Sequence, residues 1–306
     1  MQIITGTTEF RLTEKTAVAI GKFDGVHIGH RSLLTEIIKQ KEFGKKACVF
    51  TFDPPPAVFF GKAEEKELTT KEEKRKIFAE MGIDILIEFP MNANTAAMTP
   101  EEFVQNILFT QMRAGFVAAG TDLSFGNKGA GNAVLLQKMA AVSNVEVSII
   151  DKILLNGKEV SSTYAREAVE QGNMELAEKL LGMPYSVEGI VEHGNHMGHK
   201  MGMPTVNLIP KSNKLLPPCG VYYAGVIMEG RYYKGISNIG YKPTVKEKEK
   251  RLGVETYLYD YDGNAYGKAV TVEFYSFKRP EQKFDNLEAL QKQVKEDIGS
   301  GQLYIR

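Results

Sequence analysis

Two histidines, His27 and His30, sit on either side of Ile28-Gly29, after a short apolar run and just before an apolar helical pattern. Imidazoles three residues apart can bind a metal, pack as ordinary side chains, or present N–H groups to an anion. Zinc takes three or four protein ligands, and no Cys or carboxylate follows at finger-like spacing. The anion reading draws on the surroundings. Asp24-Gly25 supplies a tight turn, Gly29 permits close backbone approach, and a helix start offers free N–H groups with a favourable dipole. A second chemical pattern lies far along the chain. In Val254-Glu255-Thr256-Tyr257-Leu258-Tyr259-Asp260-Tyr261, period-two alternation puts Glu255 on one strand face with Tyr257, Tyr259 and Tyr261. A carboxylate there can take a proton from a hydroxyl, or can be an ordinary solvated strand residue. The other histidines, His193, His196 and His199, recur at every third residue. Gly194, Gly198 and Gly202 break any helix that would gather them around zinc, and suit a loop folded over phosphates instead.

Positioning these groups falls to two kinds of segment. In the first half, strand-like and helix-like runs alternate: Thr16–Ile20, then the helix carrying Leu33, Leu34, Ile37 and Ile38, then "KACVFTF", "TKEEKRKIFAEMG" and "IDILIEF". "TPEEFVQNILFTQM" opens with Thr99 as N-cap, Pro100 at the first helical position and Glu102 closing a capping box. "AGFVAAG" and "VEVSIID" read as further strands. Such alternation predicts a parallel sheet covered on both faces, with ligands beyond the strands' C-terminal ends. From about residue 183 the rhythm becomes all-strand, with turns expected at Glu229-Gly230 and Asp262-Gly263. One helix, "DNLEALQKQVKEDI", closes the chain, with Asp285 as the expected cap and Leu287, Leu290 and Val294 on its buried face.

Composition narrows the classes. Length predicts about two domains. Lys+Arg and Asp+Glu each total 38, so the formal net charge is zero, unlike the basic footprint of a nucleic-acid binder. Cys48 and Cys219 stand far apart in strand-like surroundings and read as reduced core thiols. No apolar run is long enough to span a membrane, and the chain is expected to be cytoplasmic.

The stretch Gly21-Lys22-Phe23-Asp24-Gly25-Val26-His27-Ile28-Gly29-His30 resembles the signature of the HxGH nucleotidyltransferases. More narrowly, it resembles the adenylyltransferase half of the prokaryotic bifunctional riboflavin kinase/FMN adenylyltransferase (FAD synthetase) family. "TFDPPP" at 51–56, "LTTKEEK" at 68–74, "GTDLSFG" at 120–126 and "VSSTYAREAVEQGNMELAEKLLGMPY" at 160–185 follow in the family's order. The resemblance implies an α/β Rossmann-like nucleotidyltransferase domain over 1–183, followed by a small antiparallel β-barrel domain with a C-terminal helix over 184–306. By that resemblance His27 and His30 are catalytic, holding ATP phosphates as the FMN phosphate attacks the α-phosphorus and pyrophosphate leaves. Gly21, Phe23, Asp24, Gly29, Ser161, Ser162, Thr163 and Arg166 would complete the ATP and phosphate site. Asp122 and Phe125 would line the nucleotide and flavin site. From spacing alone, the serines are equally a helix cap and Asp122 an Asx-turn.

The second half carries Gly198-His199-Lys200-Met201-Gly202-Met203-Pro204-Thr205-Val206-Asn207, similar to the flavokinase phosphate loop and its Pro-Thr-x-Asn element. No Walker sequence occurs. The resemblance implies ATP contacts from Gly198, Lys200, Gly202 and Pro204, Mg²⁺ ligation by Thr205 and Asn207, and Glu255 as catalytic base toward riboflavin. Arg279, in "KRPEQKF", would contact the flavin. The chain departs from the family at Tyr257, Tyr241-Lys242, His199 and Pro55, mostly in the kinase half. The implied activity is phosphorylation of riboflavin to FMN and adenylylation of FMN to FAD, with ATP as co-substrate and Mg²⁺ as cofactor. The small molecules riboflavin, FMN and ATP would be its partners, without nucleic acid or membrane. The alternatives are an adenylyltransferase with a weakened or inactive kinase module, and a non-catalytic flavin-binding regulator.

Overall fold

Thr16–Ile20 has no polar face, and a strand buried on both sides belongs in the middle of a covered parallel sheet. In the computed structural model this strand, β2, is buried at every residue and lies between β3 (Lys46–Asp53) and β5 (Ala114–Gly120). Residues 1–61, 66–192, 205–242 and 251–304 are described. They divide into two units, Met1–Ser162 and Thr163–Arg306.

The first unit holds a six-stranded parallel sheet in the order β1-β4-β3-β2-β5-β6, with β1 at Gln2–Thr5, β4 at Ile85–Pro90 and β6 at Glu146–Ile150. The chain winds outward from β2 through β3 to β4, then returns to the other side of β2 as β5. The carboxyl ends of β2 and β5 therefore flank the switch point, where such sheets place ligands. Helix α1 (Ile28–Lys39) follows β2 and buries Leu33, Leu34 and Ile37. The short α2 (Pro56–Phe59) follows β3, and α3 (Lys71–Glu80) starts from a capping box between Thr70 and Glu73. After α4 (Ala93–Ala97), Thr99 and Glu102 form the expected box over α5 (Pro100–Glu102).

Beyond Glu102 the predicted α-helix widens into a π-helix over Phe103–Gln111. Met112 N donates to Ile107 O, and Thr110 Oγ1 to Gln105 O, five residues back in each case. The wider turn lets Phe103, Val104, Ile107, Leu108 and Met112 all reach the core. The unit is completed by α6 (Ala133–Ser143) and a small β7–β8 hairpin (Leu154–Leu155, Lys158–Glu159).

The division between the units falls at the start of α7 (Ser162–Glu170), so α8 (Met174–Leu181) groups with the strands that follow and packs on β14 and β9. The second sheet is antiparallel, ordered β10-β13-β12-β11-β14-β9. Its strands are β9 (Tyr185–Ile190), β10 (Thr205–Leu208), β11 (Gly220–Met228), β12 (Arg231–Lys242), β13 (Arg251–Leu258) and β14 (Ala269–Pro280). A bridge between Glu192 and Asn207 joins the two edges and closes the ladder into a barrel. The Glu229-Gly230 turn has positive φ at both residues (52° and 74°), matching a two-residue hairpin. Asp262-Gly263 is no hairpin. β13 and β14 are separated in the sheet by β12 and β11, so the chain crosses over between them.

Helix α9 (Leu287–Leu303) is capped by Asn286, whose side chain accepts from Ala289 N, not by Asp285. Among its described side chains the deepest is also not apolar. Leu290 and Val294 are half-buried, whereas Asp297 is 4 % exposed and bonded to Arg279 and Lys278 of β14.

Candidate active sites

After β2 the chain turns through left-handed backbone at Phe23, Gly25 and Val26 (φ 52°, 78° and 44°). Positive φ at a β-branched residue is strained and persists only where packing enforces it. Phe23 and Val26 are fully buried, and three hydrogen bonds brace the turn from outside. Leu68 N donates to Asp24 Oδ1 (2.9 Å), Gly25 N to Thr69 Oγ1 (3.1 Å), and Ser162 Oγ to Asp24 O (2.9 Å).

This turn delivers His27 to the N-cap of α1, where its Nδ1 accepts from His30 N (3.3 Å). That bond leaves Nε2 as the protonated nitrogen. The two imidazoles stack with centroids 3.7 Å apart and planes at 21°. Gly29 lies close against the first of them: a Cβ there would meet the His27 ring at 3.2 Å, and the ring would have to give by a few tenths of an ångström. Burial pushes His27 down to about 4, against an opposing pull from Asp24 and Asp122. Burial, then His27 and Lys74, hold His30 well below the usual histidine range. The pair is therefore neutral near pH 7. It can donate N–H bonds to an anion without bringing a charge, and His30 Nδ1 is buried without a hydrogen-bond partner among the described residues.

Asp122 follows β5 at the same sheet end; it is 71 % exposed and pairs with Lys152 (3.6 Å). Phe125, expected to line the nucleotide and flavin site, is 4 % exposed, and its ring packs 5.5 Å from Phe103. Its loop must bury something to stay folded, and this ring is what it buries. Ser161 and Ser162 are half-buried, and Ser162 reaches the corner through Asp24. Thr163 and Arg166 fall in the second unit, Thr163 exposed and Arg166 half-buried. A cavity of about 490 Å³ opens between α1 and the end of β6, lined by Ile28, Arg31, Ser32, Thr35, Ile149 and Ile150. Nothing in the spacing of the sequence singles these residues out, since β6 and α1 lie over a hundred residues apart.

The start of α3 is itself tied to the sheet. Glu88 of β4 is 4 % exposed, accepts from Arg75 Nε (2.8 Å) and Nη2 (2.6 Å), and lies 3.2 Å from Lys71 Nζ. Lys71 also bonds to Asp53 at the end of β3. Burial alone would raise the Glu88 carboxyl, but Arg75 and Lys71 outweigh it and hold it below the usual range. The ties fix Leu68 and Thr69, and through them the histidine turn.

In the second unit, strand register assembles the other group. Asn207 of β10 and Asn238 of β12 both pair directly with Glu255 of β13, which puts all three side chains on one face. Thr205, two residues before Asn207 on that face, donates to Glu255 Oε1 (3.2 Å). Asn238 was not singled out from the sequence; only register reveals it. β13 ends at Leu258, but the rings of Tyr257 and Tyr259 still meet edge-on at 5.1 Å, and Tyr259 is buried and donates to Ile298 O of α9. Arg279, expected at the flavin, is taken up by Asp297 through its Nε and Nη2. A buried carboxylate needs a paired cation, and this pairing anchors α9. Gly198, Lys200, Gly202 and Pro204, with His193, His196 and His199, lie outside the described residues. Among the described residues no three His, Cys, Asp or Glu converge as metal ligands, so His27 and His30 stand as a pair.

A parallel-sheet unit with a stacked histidine pair at a helix start, followed by a barrel carrying a strand-borne acid beside neutral oxygen donors, suits a two-module group-transfer enzyme. The comparisons agree in both halves. Residues 10–164 match the family model for FAD synthetase, and residues 181–304 that for riboflavin kinase. Bifunctional riboflavin kinase/FMN adenylyltransferases from Listeria monocytogenes, Bacillus subtilis and Escherichia coli K12 are 36 %, 32 % and 34 % identical, over 92 %, 92 % and 93 % of this chain and 89 %, 90 % and 91 % of theirs. A crystal structure described as a macrolide-efflux protein from Streptococcus pneumoniae matches at 27 % identity and TM-score 0.86, over 99 % of both chains. The chain belongs to the bifunctional riboflavin kinase/FMN adenylyltransferase family.

Proposed function

We infer that this chain makes FAD in two ATP-dependent steps, phosphorylating riboflavin to FMN and adenylylating FMN. The observation that carries this reading is the presence, in one chain, of both family matches, each over a site of suitable geometry. We place the change of activity at 183/184, within the second unit and just after α8.

In the adenylylation, an FMN phosphate oxygen bonds to the α-phosphorus of ATP while the bond to the β-phosphate oxygen breaks and pyrophosphate leaves. No covalent enzyme intermediate is needed, so the protein positions the reactants and stabilises charge on the phosphoryl oxygens. His27 Nε2–H, His30 and the first N–H groups of α1 are the donors for that charge. Losing one such donor costs about 3–4 kcal/mol of barrier. Ser161 and Ser162 would hold the departing phosphates beside Asp24, with the triphosphate-facing loop completed by Gly21, Phe23 and Gly29. Asp122 would stand at the nucleotide.

In the phosphorylation, Glu255 would accept the proton of the riboflavin 5′-hydroxyl as the γ-phosphate is attacked. Thr205 and Asn207 offer hard, neutral oxygens beside a carboxylate, a donor set that fits Mg²⁺ held chiefly by phosphate and water. Bound there, Mg²⁺ would supply charge neutralisation on the ATP phosphates. The zero formal charge suits small-molecule substrates over polyanions. No helix of the described residues is long and apolar enough to cross a membrane, and we place the enzyme in the cytoplasm.

The test is direct. Purified chain with riboflavin, ATP and Mg²⁺ is expected to accumulate FMN and then FAD by chromatography. FAD formed from added FMN, with no FMN formed from riboflavin, would leave only the adenylylation.

A further inference from the structure

Neutral imidazoles leave a charge problem at the α1 corner. A nucleoside triphosphate is highly anionic, yet His27 and His30 meet it as dipolar donors, so any full positive charge from this chain comes from another side chain. Lys74 is placed to supply it. It lies on α3 one turn before Phe78 and on the same helical face. Phe78 packs edge-on against Phe23 at 5.5 Å, and the Phe23 ring lies 5.0 Å from that of His30. Lys74 is near enough to His30 for its charge to act on the imidazole. Its Nζ is held by Glu67 Oε1 at 2.7 Å, with the two side chains only 13 % and 19 % exposed. Glu67 immediately precedes Leu68, whose N–H is bonded to Asp24 of the histidine turn. The ion pair therefore stands beside the corner, on the segment that braces it.

We propose that Lys74 is a triphosphate-binding residue of the adenylylation site, held by Glu67 until a phosphate oxygen replaces the carboxylate. This rests on reading the first unit as an ATP-dependent adenylyltransferase. The step is an exchange of partners for one ammonium group, with no covalent change. A phosphate oxygen makes the same charge-assisted bond that the carboxylate does. Glu67 also lies close to the incoming anion and opposes it by like charge. The two residues thus act on ATP with opposite sign.

The experiment measures FAD formation from added FMN at varied ATP, using the full-length chain. Lys74→Met is expected to raise the KM for ATP about tenfold or more, the effect of losing a charge-assisted bond. Lys74→Arg is expected to recover part of the loss. Glu67→Gln is expected to lower the KM for ATP by roughly two- to fivefold, as for a partly screened charge. FMN formation from riboflavin in the same variants reports folding and is expected to stay unchanged. A Glu67→Gln variant whose KM for ATP is unchanged or raised overturns the proposal, as does a Lys74→Met variant with unaltered KM. Glu67→Gln decides the matter by itself should Lys74→Met fail to fold. Wild-type chain that forms no FAD from FMN would refute the underlying reading instead.

Discussion

At the first site the histidines come from ten consecutive residues, 21–30, shaped by a strained turn and a helix start. At the second, Thr205, Asn238 and Glu255 converge only because β10, β12 and β13 pair in one register. The first site is local in sequence and depends on braces from 68–69 and 162; the second is non-local and depends on the barrel ladder. A local site tolerates changes elsewhere in the sheet provided its turn holds. A register-built site can be lost by a one-residue slip, which would turn Glu255 to the other face.

The contrast can be broken most sharply at Glu255. Glu255→Gln keeps the Thr205 contact but removes the base, and is expected to lower FMN formation by roughly 10³-fold or more. FAD formation from added FMN should persist, and loss of both activities in a folded variant would contradict separate sites. Next in size, His30→Ala removes a donor from the α1 corner and is expected to slow FAD formation roughly 10²–10³-fold. Riboflavin phosphorylation should survive that change.

Gly29→Ala sharpens the local character of the first site. The added methyl meets the His27 ring at 3.2 Å and shifts it, although alanine is the better helix former. About a tenfold loss of FAD formation with an unchanged thermal midpoint is expected, measured by turnover and calorimetry together.

A separate effect is on acid stability. His27 has a folded value of about 4 against an ordinary 6.5, so the unfolded chain takes up the proton first as pH falls. The stability that depends on neutral His27 is therefore complete above about 6.5. It declines between 6.5 and 4, then levels off. Urea midpoints across that range should show the decline, and His27→Gln should reduce it, the remainder coming from His30.

Much of the first unit was legible because its signals are short-range. The Thr99 capping box, the histidine turn and the alternation of strands and helices all lie within windows of a few residues. What escaped was either cooperative or distant. β1 is a short strand with no alternation, defined only by pairing with β4. The π-helix shares the apolar pattern of an α-helix and differs only in hydrogen bonding. Glu88 reads as a lone charge in an apolar run until Arg75 and Lys71 close on it. Asn238 sits on a strand face that sequence cannot orient without its neighbours, and Arg279 finds Asp297 across 18 residues. Phe125 lies in a loop motif, and its place in the buried cluster shows only once the chain is folded.

The bond from Ser162 to Asp24 spans 138 residues, which has a consequence for the order of events at the ribosome. At roughly 5–20 residues per second, Asp24 leaves the ribosome roughly 7–28 s before Ser162 does. Throughout that interval the nascent turn lacks one of its three outside braces. A chain stopped even a few residues short of 162 would carry both histidines of the α1 corner and still lack the bond from Ser162 to its turn.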